Sequence, residues 1–211
     1  MQKIKTSSIV FETLNASTHG LGVIFSIIAI IFLTRKGISL NSYKVIATYF
    51  IYGISMLLLF LSSTLYHSFV FSKYAVLFQK IDHSTIYIFI AGSYTPYLLL
   101  SISGKIGIIC SIIVWSLAIT GILFEVITLN KYPKISLIFY LVLGWFVLLV
   151  LPSLINSLKF YGLILLILGG ISYSVGAIFY AFKKYECFHL LWHIFVILGA
   201  LFMFFSILHY V

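Results

Sequence analysis

The sequence predicts an all-α, polytopic membrane protein: a seven-transmembrane-helix bundle with its N-terminus cytoplasmic and its C-terminus outside. Three observations predict it. Of 211 residues, 63% are hydrophobic and only 8% are charged, where a soluble domain carries about 25% charged residues. The apolar residues fall in long runs parted by short polar connections, and each run can cross about 30 Å of hydrocarbon, which takes about 20 helical residues. No ten-residue alternation of the outer-membrane barrel kind is present, so helices, which satisfy their own backbone, are the expected form.

The expected spans are residues 16–33, 45–70, 84–102, 106–129, 135–155, 160–182 and 187–211. Residues 1–211 read as one integral membrane domain, with 1–15 a short cytoplasmic segment ahead of the first span. That span is followed by Arg35 and Lys36 and lacks a small-residue cleavage pattern, so it does not read as a signal peptide. Pro96, in the stretch SYTP, should bend span three. Tyr94 and Thr95 would then either satisfy the freed carbonyls or line a cavity. Pro152 is expected to mark the end of span five. Gly169, Gly170, Ser172, Ser174 and Gly176 give span six overlapping small-x3-small faces for close packing.

The net charge of +9 comes from thirteen Lys and Arg residues spread over the tail and every loop, which argues against nucleic acid as a partner. Seven spans put Lys3, Lys5, Lys73, Lys80, Lys131, Lys134, Lys183 and Lys184 on one side, against Arg35, Lys36, Lys44, Lys105 and Lys159 on the other. Positive residues favour the cytoplasm, which sets the orientation, and the expected location is the plasma (inner) membrane. Cys110 and Cys187 fall near opposite faces of the bilayer, too far apart for a bridge.

The polar residues gather at one depth. Counting helices places Glu12, His19, His67, Asp82, His83, Glu125, Glu186, His189 and His193 towards the cytoplasmic side, and His209 alone at the outer end. Ionisable groups inside a membrane are functional candidates when they face the bundle interior. His189 and His193 stand at i and i+4, so both rings project from one helical face, about 6 Å apart along the axis. That is how one helix offers two ligands to one metal, and a catalytic zinc site typically has three protein ligands plus water. His67 fits best as the third, with Ser63 one turn below it and Asp82 after a short loop. The residues between His189 and His193 are Leu190, Leu191 and Trp192, so the HExxH protease signature is absent. His209 and His19 read as packing residues.

ETLNASTHGLG at 12–22, SSTLYH at 62–67, Asp82-His83-Ser84 followed by SYTP, and HLLWH at 189–193 resemble the hemolysin III family, within the progestin and adiponectin receptor family. The resemblance covers essentially the whole chain. It implies a seven-helix bundle with zinc as cofactor near the cytoplasmic side. The family's Ser-x3-His and His-x3-His patterns fall on Ser63 with His67 and on His189 with His193. An aspartate meeting the metal-bound water falls on Asp82, and His83 is a further imidazole beside it. Because similar receptors are like membrane hydrolases that cleave ceramide, the expected function is zinc-dependent hydrolysis of a lipid amide or ester. Asp82 and Ser63 would be the catalytic pair, His67, His189 and His193 the metal ligands, and membrane lipid the substrate partner. The rival readings are a purely structural zinc and a cytolytic pore.

Overall fold

The computed structural model describes residues 6–102, 104–128, 131–182 and 185–211. Lys3, Lys5, Lys183 and Lys184, on which part of the charge argument rests, and the expected end of span four at Leu129 lie outside the described residues. Among the described residues there is no strand. The helices are α1 (Thr6–Ser39), α2 (Tyr43–Phe69), α3 (Ala75–Pro96), α4 (Lys105–Thr128), α5 (Pro133–Gly144), α6 (Val147–Ser157), α7 (Phe160–Ala181) and α8 (Glu186–Tyr210). A π-helical turn, Tyr97–Ser101, continues α3.

Among the described residues, six stretches are long and apolar enough to cross a membrane, with α5 and α6 together counting as one of them. Each helix turns large apolar side chains outward. Leu149, Phe160 and Ile127 are 75%, 71% and 81% exposed, a surface that hydrocarbon, not water, accommodates. On α1 the side facing inward is mostly small or polar. In α1 the buried residues are Asn15, His19, Gly22, Ser26, Ala29, Leu33 and Gly37, a repeat of three and four residues that makes one stripe. Gly22 lies under the Phe60 ring and Gly37 against Ile46, so α2 approaches α1 where a Cβ would collide.

Contacts run α1 to α2, α2 to α3, α3 to α4, α4 to α5, α5 to α7, α7 to α8, and α8 back to α1, which closes the bundle. The small residues of α7 serve this packing: Gly169 meets Met203 and the Gly199 carbonyl, and Gly176 meets Trp192 and Phe195. Helix α3 is the interior helix, with Ala91 to Pro96 buried without interruption.

Three expectations about the elements change. Helix α1 covers Thr6–Ser39, longer than the expected span, so Glu12 and Asn15 are helical residues. Span five is two helices, broken after Gly144, and Pro152 lies inside α6 instead of at its end. The physical reason for the break is Tyr94. Its hydroxyl donates to the Gly144 carbonyl at 2.5 Å and accepts the Val147 N–H at 2.8 Å, so groups released by the break are satisfied from α3. Finally, Pro96 sits at the end of α3 with a π turn after it, while Thr95 donates to the Ala91 carbonyl and accepts from Trp115 Nε1.

Between α3, α5, α6, α7 and α8 lies a cavity of about 330 Å³. Its walls are mostly apolar, including Phe89, Leu98, Leu154, Leu166 and Met203. Its polar end holds His19, Ser63, Asp82, His83, His189 and His193.

Candidate metal centre

Two helices supply the three imidazoles of this centre, and α1 braces them. His67 stands in the last turn of α2, and His189 and His193 occupy successive turns at the start of α8. The α8 pair shares a face because of its i, i+4 spacing. His189 Nε2 lies 3.2 Å from His67 Nε2 and 3.1 Å from His193 Nε2. One nitrogen from each ring falls within 4.8 Å of the other two. Ligands at zinc–nitrogen distances of about 2.0–2.1 Å in a tetrahedron would stand about 3.3–3.4 Å apart. His67 is 4% exposed and His193 1%, while His189 is half-buried, so two of the three rings are held away from bulk water.

The other ring nitrogens decide what this triad can hold. His67 Nδ1 donates to Glu12 Oε2 at 2.5 Å, and His193 Nδ1 donates to the Asn15 backbone carbonyl at 3.3 Å. Both acceptors are oxygens that cannot donate, so each neutral ring keeps its proton on Nδ1 and turns the Nε2 lone pair inward. His189 Nε2 can give a proton to one of these neighbours only. Whichever neighbour takes that proton, the lone pair of the other is left without it at about 3 Å, a need that a cation meets. The donor set therefore fits a metal ion, and the triad could bind one.

Beside the triad, Ser63 and Asp82 are 1% and 8% exposed and line the cavity. The Ser63 hydroxyl faces the Asp82 carboxylate. Thr85 Oγ1 donates to the Asp82 carbonyl at 2.8 Å and meets Ser62 Oγ at 2.7 Å, which seats α3 on α2 at this level. His83, next in sequence, turns elsewhere: its Nδ1 pairs with Glu125 Oε1 at 2.8 Å.

Sequence reasoning gave Glu12 and Asn15 no role and read His19 as a packing residue. Glu12 and Asn15 brace the imidazoles from α1, and His19 stacks on His193 with ring centroids 3.7 Å apart and planes 12° from parallel. Glu12, Asn15 and His19 recur three and four residues apart, so helical periodicity carried through the expected tail would have found them. His209 lies in the last turn of α8, away from the triad in its first turns.

Comparison with known proteins agrees with this arrangement of motifs. The family model described as "Haemolysin-III related" matches residues 7–204. The chain is 46% identical over 199 residues to the "Hemolysin-3 homolog" of Bacillus subtilis (strain 168), covering 94% of this chain and 93% of that protein. It is 42% identical over 200 residues to "Hemolysin-3" of Bacillus cereus, covering 95% and 91%. The "Monocyte to macrophage differentiation factor" of Homo sapiens is 31% identical over 202 residues, covering 93% of this chain and 82% of that protein. With its helices, its spacing of histidines and these relatives in agreement, the chain belongs to the haemolysin III family of membrane proteins.

Proposed function

We propose that this protein is a zinc-dependent intramembrane hydrolase of a lipid amide or ester, ceramidase-like in its reaction. One observation carries the reading: three imidazole nitrogens point at one position beside a buried aspartate, where an apolar cavity ends. The reading includes seven spans in the plasma (inner) membrane. Helix α3 and its π turn supply 22 and 5 residues, enough to cross about 30 Å at 1.5 Å per residue despite the polar first turns. A cytoplasmic N-terminus is supported by the lysine-rich tail and loops on that side.

His67, His189 and His193 would hold the ion. When bound, zinc would supply a Lewis acid that polarises a carbonyl and lowers the pKa of water to about 7. The remaining work falls to the chain. Asp82 takes a proton from the attacking water at its carboxylate, and Ser63 hydrogen-bonds the carbonyl oxygen of the substrate. Phe89, Leu98, Leu154 and Met203 accept an acyl chain and keep bulk water from the reacting carbonyl.

A structural ion is the second reading, favoured by the way the triad and Glu12 tie α1, α2 and α8 together. The relatives called hemolysins suggest lysis, but the apolar cavity walls give no support to an aqueous path. Asp82→Ala separates the readings. In the hydrolase it abolishes release of fatty acid from a short-chain ceramide or lipid ester, with zinc content near that of the wild type. Protein purified without chelators and found free of zinc would end both.

A further inference from the structure

A second histidine–carboxylate pair includes the chain neighbour of Asp82, and the reading above gives it no task. His83 lines the cavity at its polar end. Its Nδ1 donates to Glu125 Oε1 at 2.8 Å, and Ser136 Oγ donates to Glu125 Oε2 at 2.6 Å. The Tyr140 hydroxyl donates to the His83 backbone carbonyl at 3.1 Å. Helices α3, α4 and α5 thus fix one imidazole between them. Glu125 is 1% exposed, and both of its oxygens are engaged.

A buried carboxylate is expensive, and a salt bridge for stability alone is a poor return on burying it. The arrangement has a different consequence. A carboxylate holding Nδ1–H fixes the ring's orientation and leaves Nε2 on the opposite side as the working nitrogen, while its charge tolerates an imidazolium. Asp82 is the neighbour of His83 in sequence, and both side chains reach the same end of the cavity.

We propose that His83, oriented and charge-balanced by Glu125, is the general acid that protonates the leaving amine or alkoxide of the lipid substrate. The assignment rests on the hydrolase reading and adds the second proton carrier. Water's oxygen forms a bond to the carbonyl carbon, and one of its protons passes to Asp82. The C–N or C–O bond then breaks, its electron pair stays on the leaving atom, and that atom takes the proton from His83 Nε2. The proton left on Asp82 returns to His83 through solvent water, so both groups are restored. The sum is one water consumed, with an acid and an amine or alcohol released. No oxidant or reductant is needed.

Leaving groups provide the test. An alkylamide cannot depart unprotonated, whereas a 4-nitrophenolate can, so general-acid catalysis matters for the first and little for the second. The experiment compares an N-acyl alkylamine with a 4-nitrophenyl ester of the same acyl chain, using the full-length protein in detergent. His83→Gln should lower kcat on the amide about a hundredfold, within the range of 10²–10⁴ that a general acid contributes. Its loss on the aryl ester should be at least about tenfold smaller, and zinc per protein should stay near the wild-type value. Glu125→Gln should show the same substrate bias to a smaller extent, and it carries the test if His83→Gln does not accumulate in the membrane. Equal losses on both substrates, or loss of zinc from both variants, overturn the assignment and leave hydrolysis by the wild type standing. Failure of the wild type to turn over either substrate overturns the hydrolase reading and this assignment together.

Discussion

Glu12 of α1 accepts a hydrogen bond from His67 of α2 at 2.5 Å, and through it the first helix fixes the tautomer of a candidate metal ligand. Glu12 is 27% exposed at its side chain, while the ring it holds is 2% exposed. The contact therefore reaches from the rim of the bundle to its interior.

Replacing Glu12 by Gln keeps the shape but removes the charge that makes His67 Nε2 a better donor. Partners of this kind are worth 10–100-fold in metal affinity. Glu12→Gln should weaken zinc binding by about that factor in competition with a chromophoric chelator, with helicity by circular dichroism unchanged. Unaltered affinity would show that His67 needs no brace.

Helices α2 and α8 meet through the triad, so an ion held there should stabilise the bundle. A ligand bound only by the folded state adds RT ln(1 + [L]/Kd), about 2.7 kcal/mol at a hundredfold excess over Kd. A chelator should lower the thermal midpoint of the wild type, and added zinc should restore it. His67→Ala should begin at the lower midpoint and respond to neither. A chelator-induced shift of equal size in His67→Ala would place the bound metal elsewhere.

How much of this was legible in the residues follows from which features are local. The i, i+4 histidines and the small faces of α7 are periodic, so spacing alone discloses them. The break between α5 and α6 is not periodic. It lacks a proline at the breaking point, and Pro152 points to the wrong place, because the group that makes the break affordable is the Tyr94 hydroxyl on another helix. The role of Glu12 was hidden differently: hydropathy ends a span where charge begins, whereas the helix itself runs back to Thr6. His83 and Glu125 were each visible as intramembrane polar residues, but only the packing of α3 on α4 shows that they pair.

Metal retention should depend on acidity in a defined sense. A ring coordinates through Nε2 only when that nitrogen carries no proton, so protons compete with the ion. The interaction is fully present on the alkaline side and is lost as the pH falls through the range where imidazoles protonate, about 6.5 for an unperturbed ring. Zinc should stay bound on dialysis at about pH 8 and leave at about pH 5. Retention that does not change between these conditions would mean that imidazoles are not the ligands.

The break in the fifth span makes a prediction independent of any metal. Tyr94 is 8% exposed, and its hydroxyl serves one carbonyl and one N–H at once. Tyr94→Phe fills nearly the same space and leaves both backbone groups without that partner, in a setting where water cannot replace it. A buried group left unsatisfied costs about 1–3 kcal/mol. Equilibrium unfolding in mixed micelles should register a loss of that order, with zinc content unaffected because the triad lies on α2 and α8. A variant as stable as the wild type would mean that α5 and α6 rejoin into one helix when the hydroxyl is removed, and a cysteine cross-link scan over 143–148 would then show continuous helical periodicity.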